Sequence, residues 1–277
     1  MITSEQRKEL TRFSADIRTE CINMISKIGV GHVGGSLSIA DVLACLYGGA
    51  MKIDPKNPRW EERDRFVLSK GHAGPAMYAA LALKGYFPMS MLDTLNLPPT
   101  NLPSHTDMNR TPGVDMTTGS LGQGISTAAG IALGCKLKRQ DNHTFVIIGD
   151  GESQEGQVWE AAMFAGAKQL NRLIAFVDYN GKQIDGTVEQ VGGAPNFIEK
   201  FESCNWNTID VADGNDVGQI WDAIERAKTE QVKPTAIILH TVKGKGWTYA
   251  EEMENNHNFK VNAQQAAEAC AEFARQK

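Results

Sequence analysis

The sequence has few cysteines, and none of them stands in a Cys-x-x-Cys pair: they fall at Cys21, Cys45, Cys135, Cys204 and Cys270. An odd, scattered set excludes a disulfide framework and suits buried thiols in a reducing cytoplasm. There is no excess of basic charge, since the formal net charge is −5, which excludes a nucleic-acid-binding face. No apolar run approaches the roughly 20 residues of a membrane-spanning helix, so no membrane partner is expected. The stretch Met1 to Leu10 is polar and lacks the apolar centre of a signal peptide. Neither internal repeats nor a low-complexity linker divides the chain. What is there is a 277-residue sequence, 42% hydrophobic and 22% charged, enough for one large α/β domain or two small ones.

The most informative stretch runs from Gly149-Asp150-Gly151 to Asn180-Gly181-Lys182. Thr144 to Ile148 is a short apolar run that reads as a buried strand and stops at Gly-Asp-Gly. Val158, Ala161, Ala162 and Ala165 follow at i, i+3, i+4 and i+7, one face of a helix. Leu173 to Val177 is a second apolar run, ending at Asp178-Tyr179-Asn180-Gly181. This βαβ pattern puts an acid at one strand tip and an amide at the next, on the carboxyl edge of a parallel sheet where ligands bind. Such tips suit a magnesium-bound diphosphate. Glycines beside Asp150 admit phosphate oxygens, and a following helix N-terminus favours an anion. Mg²⁺ takes hard oxygens: the Asp150 carboxylate, the Asn180 amide oxygen and a carbonyl just after Asn180. Gly-Asp-Gly or Asn-Gly alone is an ordinary turn. Their pairing on consecutive strand tips is far more specific.

Around this unit the chain alternates regular elements and glycine-rich turns. Residues 4 to 28 form an amphipathic helix on Leu10, Phe13, Ile17, Cys21, Met24, Ile25 and Ile28. Gly29 to Ser36 contains a literal G-x-G-x-x-G, but a helix pattern precedes it and a dinucleotide fingerprint requires a strand. It reads instead as a loop holding His32, with Ser36 or Ser38 capping a helix over 39–50. Arg65 to Ser69 is a strand ending in Lys70-Gly71-His72-Ala73-Gly74, and Pro75 opens the next helix. Residues 84 to 113 carry five prolines and His105; a loop of that length is usually functional. Gly119-Ser120-Leu121-Gly122 turns into a helix over 125–137. Later come strands at 208–211 and 236–240, a helix at 217–227, and a helical tail at 262–275. Turns bearing His, Asp, Asn or Lys at successive junctions describe a cofactor site at the open edge of a doubly wound, mostly parallel α/β sheet with helices on both faces.

Five blocks carry a family resemblance: GHVGGSLSIADVL (31–43), DRFVLSKGHAGPAMYAAL (64–81), PGVDMTTGSLGQGIS (112–126), GDGESQEGQVWEAA (149–162) and DYNGKQIDG (178–186). In this order they resemble the N-terminal, diphosphate-binding portion of a transketolase over nearly the whole chain. The resemblance implies one domain spanning 1–277 that binds thiamine diphosphate and Mg²⁺, with Ca²⁺ able to substitute. Asp150, Asn180 and the Lys182 carbonyl would hold the metal. Gly151 and Asn180 would touch the diphosphate; His72 and the Gly119-Ser120-Leu121 turn would touch the cofactor. His32, His72 and His105 would be catalytic, with His32 near the reacting carbonyl oxygen and His105 near donor hydroxyls. Glu155 would join a chain of carboxylates at the subunit contact, on the cofactor side. The chemistry agrees: the cofactor supplies the electron sink, and imidazoles near neutral pH suit donation to a developing alkoxide and removal of a hydroxyl proton. His143 and His240 read as structural.

Three departures from the family pattern stand out. Val33 replaces a proline after His32. The family's late His-Gly, which reaches diphosphate and substrate, is matched by His257 in residue type and by Lys260 in spacing. The run Lys243-Gly-Lys-Gly-Trp247 resembles the deoxyxylulose-phosphate synthase branch and split transketolases, which adds Lys243 to the cofactor side. The family's pyrimidine-binding domain and its activating glutamate have no counterpart here. The resemblance therefore implies that the partner is a separate C-terminal subunit, with self-association in a 2+2 assembly and small sugar phosphates as substrates. Two alternatives are the α chain of a 2-oxo acid dehydrogenase and a non-catalytic cofactor-binding chain. The three sugar-side histidines speak against both.

Overall fold

The computed structural model describes residues 2–193 and 195–277. Its centre is a five-stranded parallel sheet of β1 (Arg65–Leu68), β2 (Thr144–Gly149), β3 (Leu173–Tyr179), β4 (Asn207–Val211) and β5 (Thr235–His240), in the order β1-β2-β3-β5-β4. Strands buried on both faces read as continuous apolar runs, and consecutive side chains go to opposite sides. Phe145, Ile147, Ile174, Phe176, Ile237 and Leu239 enter one core. Val146, Ile148, Ala175, Val177, Ala236 and Ile238 enter the other. Helices cover both faces, as the doubly wound pattern predicts.

The first helix is Ser4–Ile28, capped by the Thr3 hydroxyl, which accepts from the Gln6 N–H at 3.1 Å. Its stripe of Leu10, Ile17, Cys21, Met24 and Ile25 is buried. Buried Arg18 on this helix donates to Asp41 (Nη1–Oδ1 3.0 Å) and to the Lys245 carbonyl (2.9 Å), so it ties the helix to a turn at the open edge of the sheet. Phe273 of the tail helix Ala263–Ala274 lies in the same core as the first helix.

Two local expectations change. The loop over 29–36 is partly regular: Val30–Gly31 pairs antiparallel with Phe259–Lys260, and Gly34–Leu37 is one helical turn. The pairing partner lies more than two hundred residues away, so no sequence window shows it. The stretch 39–50 is α-helical only over Ala40–Cys45 and continues as a π turn, Leu46–Ala50, with Gly49 at φ 151°. Neither serine caps this helix. Ser36 Oγ donates to the His32 carbonyl at 2.6 Å, and Ser38 Oγ donates to Asp178 Oδ2 at 2.8 Å. The other helices and strands expected from the sequence fall within a few residues of their predicted bounds, whereas the 3₁₀ helix Met89–Thr94, the paired strands Lys182–Gln183 and Gly186–Thr187 and the helix Thr248–Glu252 have no counterpart in that reading. Among the described residues no helix is long and apolar enough to cross a membrane.

Candidate active site

Parallel register brings four strand ends to one edge. Leu68 lies opposite Ile147, Gly149 opposite Asp178, and Asp178 opposite Leu239. The residues just beyond these strands, Lys70 and His72, Asp150 and Gly151, Asn180 and Lys182, and Lys243, therefore converge. Together with Leu121, Glu155 and His257 they line a cavity of about 300 Å³. Gly119 and Ser120 stand beside this cavity without lining it.

Asp150 is 2% exposed and accepts from the Gly151 N–H (Oδ1, 2.7 Å) and the Gly181 N–H (Oδ2, 2.6 Å). A 3₁₀ turn, Glu152–Gln154, separates it from the helix Gly156–Ala167, so the N-terminus of that helix does not follow Gly151 directly. Burial, and then the neighbouring Asp178, push the Asp150 carboxyl up to about 6. The Asn180 amide donates to Asp178 Oδ2 (2.9 Å), and its Oδ1 accepts from the Lys182 N–H (3.1 Å). The Lys182 carbonyl accepts from Lys243 Nζ at 2.9 Å. Burial first, and Lys70 second, push the Lys243 ammonium down to about 8. A buried carboxylate with a raised pKa calls for positive charge. An acid, an amide oxygen and a carbonyl are the hard donors Mg²⁺ prefers. The residues present fit a divalent cation bridging to a diphosphate.

A group of four imidazoles stands beside the cavity: His72 and His257 line it, whereas His32 and His105 lie behind them, outside its lining, and His32 faces a neighbouring cavity. The His32 ring centroid lies 5.5 Å from His72, 5.5 Å from His105 and 5.3 Å from His257, and His72 lies 4.8 Å from His257. All four are held below the ordinary histidine range, with burial the largest cause in each; His257 falls to about 4, with Lys243 the next cause. Neutral imidazoles can accept one proton and donate another. Gly119, at φ 146°, lets His105 lie against its turn: a Cβ there would sit 3.1 Å from His105 Cδ2. Gly124 opens the helix Gln123–Leu137 against Ser69, where a Cβ would stand 2.5 Å from the Ser69 Cα.

The two matches for the late histidine fall in different places. His257 joins the imidazole group, whereas exposed Lys260 pairs through its backbone with Val30. Buried Asn256 positions His257 by donating to the Lys243 and Ala250 carbonyls (2.9 and 2.7 Å), and its own carbonyl accepts from the Gly34 N–H (3.0 Å). Val33, at φ −80° and fully buried, holds the backbone near the angle a proline would impose. Glu155 is exposed at the helix start, while His143 lies beside Asp64 and His240 Nε2 donates to Asp210 Oδ1 at 2.8 Å, away from the cavity.

Sequence reasoning missed three charged residues of the site. Lys70 Nζ donates to Asp178 Oδ2 at 2.5 Å, and both side chains are buried. Glu152 accepts from the Ser69 hydroxyl, from the Gly122 N–H (2.8 Å) and from the Gly149 N–H (2.9 Å). The available signal was a charge at or just past the end of an apolar strand, where an unpaired charge is costly.

Comparison with known proteins agrees with this geometry. Residues 10–275 match the family model described as transketolase, thiamine diphosphate binding domain. The chain is 53% identical over 273 residues to the 6-deoxy-6-sulfo-D-fructose transketolase subunit of Clostridium sp. (strain MSTE9), covering 99% of each. It is 35% identical over 257 residues to an apulose-4-phosphate transketolase subunit of Phocaeicola vulgatus, covering 93% of this chain and 91% of the other. Among solved structures it matches transketolase from Leishmania mexicana at a TM-score of 0.90 and 31% identity, over 96% of this chain and 41% of that one. The strand-tip oxygens, the imidazole group and these matches converge: the chain belongs to the transketolase family and carries its thiamine diphosphate binding domain.

Proposed function

We propose that this chain is the N-terminal, diphosphate-binding subunit of a two-polypeptide transketolase. With thiamine diphosphate and Mg²⁺, or Ca²⁺ in its place, it moves a two-carbon ketol unit from a ketose to an aldose. The observation that carries this reading is the pairing of Asp150, Asn180 and the Lys182 carbonyl on adjoining strand tips with His72 and His257 in one cavity, and with His32 and His105 packed beside those two rings. When bound, the cofactor supplies the carbon nucleophile and the electron sink. Asp150, Asn180 and the Lys182 carbonyl would hold the metal, while Lys243 and His72 would face the diphosphate. His32 donates to the sugar carbonyl oxygen as negative charge develops on it. His105 orients the donor hydroxyls and shares the removal of one hydroxyl proton. Both imidazoles start neutral, so each has a ring nitrogen free to accept.

The donor we favour is a ketose with an anionic group at its far end. Relatives named for a sulfonated hexulose and for a phosphorylated pentulose support this class. The partner is a second polypeptide carrying the pyrimidine-binding domain, in a 2+2 assembly in the cytoplasm. Its support is that relatives of matching length are named as subunits, whereas the chain spans 41% of the Leishmania mexicana enzyme. The test is ketol transfer from 6-deoxy-6-sulfo-D-fructose or fructose 6-phosphate to an aldose acceptor, with this chain alone and then mixed with its partner. Turnover only in the mixture is expected. Full turnover by the chain alone would overturn the two-polypeptide reading. Decarboxylation of a 2-oxo acid without ketol transfer would replace it with the dehydrogenase reading.

A further inference from the structure

We infer that Asp178 is a positioning residue for the metal: it fixes which end of the Asn180 amide faces the cavity. The inference rests on the metal reading of Asp150 and Asn180 given above. Asp178 is fully buried at the end of β3. Its Oδ2 accepts from Lys70 Nζ at 2.5 Å, Ser38 Oγ at 2.8 Å and Asn180 Nδ2 at 2.9 Å, and its Oδ1 accepts from Thr241 Oγ1 at 2.5 Å. An ionised carboxylate only accepts. If the amide turned its oxygen to Asp178, two acceptors, one of them fully buried, would face each other with no proton between them.

The two ends of a side-chain amide are nearly identical in shape, so packing alone does not choose between them. The Asp178 carboxylate does so at the Nδ2 end, and the Lys182 N–H adds to it at the Oδ1 end. The backbone carbonyl of Asp178 also faces Nδ2, but at 3.4 Å it lies beyond ordinary hydrogen-bond length. With Nδ2 committed, Oδ1 is turned away from Asp178. It accepts once, from the Lys182 N–H, and keeps a lone pair for a cation. The reverse orientation would present an NH₂ group, which cannot coordinate a hard cation. Lys70 completes the device. Its ammonium offsets the buried negative charge so that the carboxylate persists as an acceptor. Partners behind a metal ligand commonly set its orientation in this way, and losing one typically costs about 10–100-fold in metal affinity.

The experiment titrates Mn²⁺ into the purified full chain with thiamine diphosphate present, following free Mn²⁺ by electron paramagnetic resonance. The charge-conserving pair Lys70→Met with Asp178→Asn leaves the net charge of the site unchanged but removes the carboxylate that holds Asn180 Nδ2, so that only the Lys182 N–H still orients the amide. It is expected to bind Mn²⁺ about 10–100-fold more weakly. A second variant, Asp178→Asn with Asn180→Asp, keeps the net charge of the site and presents an oxygen whichever way residue 180 turns. It is expected to bind Mn²⁺ at least as tightly as the natural chain. Thermal unfolding verifies that each variant is folded. Natural affinity in the first variant, or affinity in the second as weak as the first was expected to show, would overturn the positioning role alone. A natural chain that bound no Mn²⁺ would overturn the metal reading and this inference together.

Discussion

The Lys243 ammonium donates to the Lys182 carbonyl at 2.9 Å. The backbone oxygen assigned to the metal therefore already faces a positive charge. Lys243 also lies close enough to Asp150 and Asp178 for both carboxylates to pull its pKa up against burial. Its charge opposes an incoming metal ion and attracts an incoming diphosphate.

Lys243→Met should consequently shift two affinities in opposite directions. Mn²⁺ alone should bind about tenfold more tightly, and inorganic pyrophosphate alone about tenfold more weakly. A unit charge a few ångströms away in an effective dielectric of about 20 exceeds the ~1.4 kcal/mol that a tenfold change requires. Separate calorimetric titrations measure both. Shifts of the same sign would mean that Lys243 acts on neither charge directly.

Asp150→Ala should abolish Mg²⁺-dependent binding of thiamine diphosphate, because the diphosphate would keep its charge without a bridging cation. Asn180→Ala should do nearly the same. Titration with and without Mg²⁺ decides the matter; unchanged affinity in Asp150→Ala would remove Asp150 from the metal set.

His32 and His105 stand 5.5 Å apart outside the lining of the strand-tip cavity, and both are proposed to act on the sugar. Replacing either with alanine should leave cofactor affinity roughly intact and cut turnover of the assembled enzyme by ~10²–10⁴, the usual range for a lost acid–base group. Full activity in either variant would return that histidine to a packing role.

The imidazole group also predicts a pH dependence of folding. His32, His72, His105 and His257 are all held below the ordinary range by burial first, His257 to about 4. An unfolded histidine titrates near ~6.5. Below that pH these four histidines bind more protons in the unfolded chain than in the folded one, so their contribution to stability falls as the pH drops from about 6.5 toward 4 and is fully present above; Asp150, a single group pushed up to about 6, opposes them. The midpoint of thermal unfolding of the cofactor-free chain should drop between pH 6.5 and 5. His257→Asn should flatten the drop, and an equally steep profile in that variant would assign it to other groups.

Much of this site was legible because its chemistry sits where apolar runs stop. Gly149-Asp150-Gly151 and Asn180-Gly181 interrupt β2 and β3 where parallel register places a ligand edge. The charges beneath them were not legible, because their meaning lies in distant partners. Lys70 meets Asp178 across 108 residues, Ser38 meets Asp178 across 140, and Ser69 meets Glu152 across 83. A serine before a helix looks like a cap until the fold offers it a buried carboxylate. His257 and Lys260 were equal candidates in sequence; the pairing of Lys260 with Val30 and the anchoring of Asn256 separate them in space.

Glu152 joins Ser69, Gly122 and Gly149, one from each of three loops around the cofactor site. A single carboxylate therefore couples the turn before His72, the turn after Leu121 and the Gly-Asp-Gly turn. None of these can open without breaking the bonds that hold the others. Amide exchange at Gly122 and Gly149 should proceed through one shared opening, at matching rates that slow together when cofactor binds. In Glu152→Ala each orphaned N–H costs about 1–3 kcal/mol. The two amides should then exchange faster and independently, and the cavity would become three loops that fluctuate apart.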